Sequence, residues 1–112
     1  MREPDPVELE ALLARIKSRA TAGAFRVTQH AQQEMVGEEI TLDEVVQAIR
    51  HGEILEHYPE HRRGACCLVN GFTDAGRPLH IVCTGQPLLI LVTAYEPRLP
   101  KWLTPRERRS QP

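Results

Sequence analysis

The amino-acid sequence predicts an α+β domain, with N-terminal helices packed on one face of a four-stranded, mainly antiparallel sheet. Two observations carry that class. Apolar residues recur at helical spacing as far as Gly52, and beyond it the pattern changes to strand-like alternation and short continuous apolar runs. Each helical stretch also brings its own start and stop residues. A chain of 112 residues suits one compact core and would leave two domains undersized.

The stretch "DPVELEALLARIKSRATAG" is the first helix. Asp5 caps it, Pro6 suits the first turn, and Glu8 stands three residues after the cap, where a capping box needs it. Leu9, Leu12, Leu13, Ile16 and Ala20 form one apolar stripe. Lys17 and Arg19 sit where the macrodipole favours cations, and Gly23 terminates the helix. "FRV" is a short strand with Phe25 and Val27 on one face and Arg26 on the other. Thr28 then caps a second helix running to about Val36, with Gly37 as its terminator. In "ITLDEVVQAIRHG", Thr41 caps, Glu44 answers it, and Leu42, Val45, Val46 and Ile49 repeat at helical spacing before Gly52 closes the third helix.

After Gly52, "EILEHY" alternates as a strand does. "ACCLVNGF" and "PLHIVCTG" are two further strands joined by "TDAGR", a glycine-containing hairpin connection. "PLLILVTAY" is a continuous apolar run of strand length, the pattern of a central strand buried on both faces. Pro97, Pro100 and Pro105 exclude further regular strand, Trp102 folds back onto the core edge, and "RERRSQP" is a frayed tail.

The three cysteines are an odd number, which argues against a disulfide framework. Cys66 and Cys67 are strand neighbours and point to opposite faces, so they do not bridge each other. With no CxxC pair a zinc ribbon is not expected, and buried, reduced thiols are the simple reading. No apolar run approaches the length of a membrane span, and "MREPDPVELE" lacks the layout of a secretory signal, so a cytoplasmic protein with no membrane partner is expected.

Net charge is −1, but the distribution is uneven: Met1 to His61 holds six basic and twelve acidic residues, and Arg62 to Pro112 holds eight and three. Either the basic half meets nucleic acid or an acidic partner, or the two halves neutralise each other on the folded surface.

Chemistry concentrates in a few positions. His30 is the second residue of the Thr28-capped helix, where the positive dipole end disfavours imidazolium. A neutral ring is what a general base for a ribose 2′-hydroxyl needs. Glu34, one turn on, shares its face. The plain alternative is a His that fixes the strand-to-helix turn. His80 in "LHIVC" faces away from Leu79, Ile81 and Cys83, as an acid partner or as a half-buried structural residue. Tyr95 could donate a proton or stack a base, or simply pack with a wet hydroxyl. Arg98, Lys101, Arg106, Arg108 and Arg109 crowd around Trp102 near the chain's end. They could follow an RNA backbone with the indole as a stacking surface, or dock an acidic partner. His51, His57 and His61 lie close in sequence, but their spacing crosses a helix end, a strand and a turn. No metal site and no cofactor is therefore expected.

The landmarks "VTQHAQQEM", "EEITLDEVVQAIRHGEILEHYPE", "GRPLHIVC" and "LLILVTAYEPRLPKW" occur in the order seen in the domain-of-unknown-function family 4258, which this chain resembles from about Phe25 to Trp102. The resemblance places a first helix (1–24) outside a family-like α+β domain (25–103), followed by a basic flexible tail (104–112). It implies a RelE-like arrangement and a small bacterial toxin-like endoribonuclease. A zinc-finger antitoxin encoded nearby would be its partner and RNA its substrate. His30 would then take the 2′-proton, His80 or Tyr95 would serve the leaving oxygen, and Arg98 or Lys101 would hold phosphate charge. One departure stands out: Glu34, and Glu38 or Glu39, occupy places where the family tends to carry arginine. That reversal favours the rival expectation, a non-catalytic protein-interaction module.

Overall fold

The structure is a computed structural model, and it describes residues 5–60, 64–99 and 101–108. Three helices, α1 (Pro6–Thr21), α2 (Gln29–Glu38) and α3 (Leu42–Arg50), pack on a five-stranded sheet. The strands are β1 (Phe25–Val27), β2 (Glu53–Tyr58), β3 (Cys66–Phe72), β4 (Pro78–Thr84) and β5 (Leu89–Tyr95), in the order β1-β5-β4-β3-β2. The α+β class is as expected, but the sheet has a fifth strand. β1 runs parallel to β5, with Phe25 opposite Leu89 and Val27 opposite Leu91, while all other pairings are antiparallel. A three-residue strand carries little periodicity of its own, and its register comes from β5. The strand at the centre is β4 rather than the apolar β5.

Helix starts follow the sequence. Asp5 accepts from the Val7 N–H at 2.7 Å, Thr28 from Ala31 at 3.1 Å, and Thr41 with Glu44 forms a full capping box. The end of α2 differs from expectation. Gly37 lies inside the helix, and Glu39 takes the left-handed conformation at φ 55°. Arg77 explains the extension: its guanidinium donates to the carbonyls of Glu38 at 2.7 Å and Glu39 at 3.0 Å, satisfying the C-terminal acceptors.

One face of the sheet is covered by α1 and α3. Ile16 and Ala20 of α1 and Val45, Ala48 and Ile49 of α3 meet Val69, Leu79, Ile81, Leu89 and Leu91, all buried. The approach of α3 is so close that a Cβ at Gly71 would come within 1.9 Å of the Ala48 carbonyl oxygen. Cys67 and Cys83 are cross-strand partners on this face, and a hydrogen bond from the Cys83 thiol to Cys67, together with burial, pushes the Cys83 thiol up. Cys66 lies on the other face with Sγ near the Gly64 carbonyl.

That other face is covered by a hairpin the sequence excluded. β6 (Trp102–Thr104) pairs with β7 (Glu107–Arg108), so Glu107 and Arg108 of the expected frayed tail form a strand. Arg109 to Pro112 lie outside the described residues, as does Pro100. Pro105 is compatible with the hairpin because it sits in its turn, where no ladder N–H is required. Thr104 Oγ1 accepts from the N–H groups of Arg106 and Glu107. Trp102 is 2% exposed against the sheet, and Arg108 lies 4.5 Å over its ring while making two 2.7 Å contacts with Glu56.

The uneven charge is largely neutralised across the fold. Arg77 pairs with Glu44, Arg98 with Glu38, Arg106 with Glu53 and Arg108 with Glu56, in each case a late arginine on an early glutamate. No described helix is long and apolar enough to cross a membrane.

Candidate functional site

A strand's outer edge must satisfy one N–H and one C=O at every second residue. β1 does this for β5 only as far as Leu91, and α2 takes over. The Thr28 N–H donates to the Leu91 carbonyl and its hydroxyl to the Val92 carbonyl, each at 3.0 Å. Glu34 then accepts from the Ala94 N–H at 3.1 Å, and Glu38 from the Glu96 N–H at 2.9 Å. The match is geometric. Four residues of helix rise about 6 Å and two residues of strand about 6.6 Å, so carboxylates at i and i+4 meet amides at j and j+2. Glu34 and Glu38 are therefore caps on a sheet edge.

This arrangement sets α2 beside the end of β5 and leaves a cleft of about 470 Å³ between them and the segment leading to the hairpin. His30, Tyr95, Arg98 and Lys101 line it together. With Trp102, five of the seven residues singled out from sequence thus line one space, though they come from a helix start, a strand end and the segment leading into the hairpin. His30 is 65% exposed, with Nε2 at 3.6 Å from Glu34 Oε1, an ion-pair distance when the ring is protonated and too long for a hydrogen bond. Lys101 is exposed and has no ion-pair partner among the described residues. Arg98 reaches Glu38 at 3.2 Å and Glu96 at 3.5 Å, and Glu96 also binds Arg77 at 3.0 Å. The carboxylates of the cleft are thereby engaged by amides and guanidinium groups.

His80, Trp102 and Arg106 are placed differently from the other four. His80 is fully buried and cannot meet a substrate as its acid. Its Nε2 lies 2.7 Å from the Pro105 carbonyl oxygen and its Nδ1 3.2 Å from the Tyr95 hydroxyl. Burial pushes its pKa below the ordinary 6.5, so the ring is neutral at pH 7. A carbonyl only accepts, so the Nε2 carries the proton and Nδ1 receives one from Tyr95. Tyr95 therefore directs its proton inward and offers the cleft a lone pair. Burial also raises its pKa. Trp102 lines the cleft but has no open face on which a base could stack, with Arg108 over its ring and the edge of His80 at 4.4 Å. Arg106 lies elsewhere, paired with Glu53.

Among the described residues of the histidine run, His51 and His57 do not converge. His51 binds Asp74 at 2.9 Å and stacks on Phe72, and His57 lies on β2 opposite Cys67. His61 lies outside the described residues. Sequence reading missed the edge-capping role of Glu34 and Glu38; their four-residue spacing on a helix preceded by an edge strand was the available signal. It also missed the Glu56–Arg108 staple, for which a 52-residue separation gives no local signal.

The family model described as Domain of unknown function (DUF4258) matches residues 27–96. No curated protein and no solved structure matches the chain.

Proposed function

We propose that this chain, which belongs to the family described as Domain of unknown function (DUF4258), binds single-stranded RNA in the His30 cleft and cleaves it without a metal. The observation that carries the reading is the convergence of His30, Arg98 and Lys101 on one open cleft. His30 accepts the ribose 2′-proton, the 2′-oxygen bonds to phosphorus, and the P–O5′ bond breaks. Solvent water protonates the departing O5′, giving a 2′,3′-cyclic phosphate and a free 5′-hydroxyl. Lys101 and the outward side of Arg98 hold the phosphate, and Tyr95 accepts a hydrogen bond from a ribose hydroxyl. With so few open cations, binding is weak and falls only shallowly with salt, by roughly 0.7 in log K per log salt for each phosphate engaged.

The finer reading, a RelE-like cytoplasmic toxin countered by a zinc-finger antitoxin, rests on the sequence resemblance alone. A second reading, a non-catalytic protein-interaction module, is favoured by the three carboxylates that also line the cleft, Glu34, Glu38 and Glu96.

Incubation of total RNA with the purified chain and with folded His30→Ala separates these readings. Cleavage with 2′,3′-cyclic phosphate ends, lost in His30→Ala and indifferent to chelators, is the expected result. Intact RNA, together with harmless induced expression of the wild type, would leave the interaction module standing.

A further inference from the structure

On the far side of the hairpin lies a larger cavity, of about 840 Å³, lined by side chains that the cleavage reading leaves unused. Strand alternation puts Asn70 and Phe72 of β3 on the hairpin face, two residues and about 6.6 Å apart. Phe72 is 52% exposed, although a ring of that size is ordinarily covered. It is also held in place: His51 stacks on it at 5.3 Å and 3° interplanar angle, and His51 is itself fixed by Asp74 at 2.9 Å. The carboxamide of Asn70 has no hydrogen-bond partner among the described residues. Thr104, Pro105 and Arg106 of the hairpin turn close the opposite side.

We infer that this cavity is a nucleobase subsite, in which a heteroaromatic ring packs on Phe72 and presents its donor–acceptor edge to Asn70. Each feature answers a requirement of that ligand. A rigid exposed aromatic supplies a stacking platform. An amide carries adjacent donor and acceptor, the pattern on a base edge. The guanidinium of Arg106, 64% exposed at the rim and paired with Glu53 through Nη1, has its remaining N–H groups placed for the attached phosphate. The volume lies in the range of small-ligand sites. The hairpin is the shared wall of both cavities, with Lys101 and Trp102 on one side and Thr104 to Arg106 on the other. One RNA strand crossing it would place a phosphate by His30 and a base further along the strand on Phe72. The inference extends the RNA reading, but a mononucleotide tests it separately.

The test is titration of the isotope-labelled full chain with AMP, GMP, CMP and UMP, followed by amide NMR, with ribose 5-phosphate as the baseless control. The expected result is that at least one nucleotide shifts the Asn70 side-chain signals and the Gly71 and Gly76 amides, while ribose 5-phosphate does not. Phe72→Ala, which removes an exposed ring and keeps the fold, should weaken that binding about tenfold. Asn70→Ala should weaken it several-fold and flatten the preference among bases, and His30→Ala should leave it unchanged. Equal response to ribose 5-phosphate, undiminished binding in Phe72→Ala, or no response at millimolar nucleotide would each overturn the subsite. Nucleotide binding here without any RNA cleavage would instead retain the subsite and remove the cleavage reading.

Discussion

The hydroxyl of Tyr95 and Nδ1 of His80 lie 3.2 Å apart beneath a hairpin that seals the imidazole from water. Facing that ring are Tyr95, Trp102, Glu56, Arg108 and Lys101. Burial lowers its pKa, with Arg108 and Lys101 acting in the same direction and the Pro105 and Glu56 contacts opposing. A histidine whose folded pKa is depressed gives full stability above its unfolded value of 6.5. It loses stability as pH falls below that value toward the folded pKa, because only the unfolded chain then takes up the proton. Chemical unfolding followed by Trp102 fluorescence should therefore show a midpoint that declines from pH 7.5 to 5.5. The slope for this one group is at most about 1.4 kcal/mol per pH unit. His80→Gln should be less stable at pH 7.5 and lose that part of the decline. Glu44 and Glu56, held below the usual carboxylate range by hydrogen bonds from Thr41 and Arg108, add their own losses only further down, below about pH 4.5.

The inward direction of the phenolic proton makes a second prediction. A general acid contributes roughly 10²–10⁴ in rate. Tyr95→Phe should lower RNA cleavage by less than about tenfold, as loss of one accepting lone pair would. It should also reduce stability by about 1 kcal/mol, since His80 Nδ1 loses its donor in a dry site. A thousandfold loss of activity in a folded protein would show that Tyr95 turns its proton to the substrate.

A third prediction concerns the capped edge. Glu34→Ala removes the acceptor of the Ala94 N–H, a buried donor, and should destabilise the chain by about 1–3 kcal/mol while speeding hydrogen exchange at Ala94. Glu34→Gln keeps a carbonyl oxygen in reach and should be much milder. Glu34→Arg places a donor against a donor and should be the worst of the three. If Gln and Ala behave alike, the carboxylate does not hold the edge.

Much of this fold could be read from local signals. The caps at Asp5, Thr28 and Thr41, the "TDAGR" connection and the alternation of β3 and β4 each depend on residues a few positions apart, and each appears where the pattern put it. What was not legible depends on distant partners. β1, a strand as its residues predict, joins the sheet as a fifth, parallel member because β5 offers an open edge, α2 runs past Gly37 because Arg77 arrives from 39 residues away, and β6 and β7 form because Glu56 holds Arg108. The site divides along the same line. Placement of His30, Tyr95, Arg98 and Lys101 in one cleft follows from helix and strand ends that the sequence marks. The sealing of His80 and Trp102 follows from the hairpin, which proline counting excluded.

Gly71 supplies a fourth prediction. Its missing side chain is what lets the α3 backbone sit directly on β3, and a Cβ would meet the Ala48 carbonyl oxygen and carbon at 1.9 and 2.8 Å. Backbone atoms on both sides cannot swing aside as a flexible side chain would. Gly71→Ala should cost about 3 kcal/mol or more and largely prevent recovery of folded protein. Gly37→Ala, with nothing within 4 Å, should be neutral or slightly stabilising in its helix. Thermal melts of the two variants side by side give the comparison.

Arg108 ties the hairpin to the sheet, and its removal should be felt at His80. The guanidinium makes two 2.7 Å contacts with Glu56 and lies over Trp102, and Glu56 in turn bonds Tyr58, whose hydroxyl burial and that carboxylate push up to about 12. The pair is partly exposed, so a bidentate contact and a cation–π contact together are worth about 1–2 kcal/mol. Arg108→Ala should lower the melting temperature by roughly 5–10 °C and shift Trp102 emission to the red as water enters. Arg108→Lys should recover only part, since an ammonium cannot grip both oxygens. Two changes then act on His80 in the same direction. Losing a neighbouring cation and gaining water both raise its folded pKa toward 6.5, so the pH-dependent decline described above should shrink in Arg108→Ala. A variant that melts lower yet keeps the full decline would mean that the imidazole stays sealed without the staple, with Trp102 alone holding the hairpin closed.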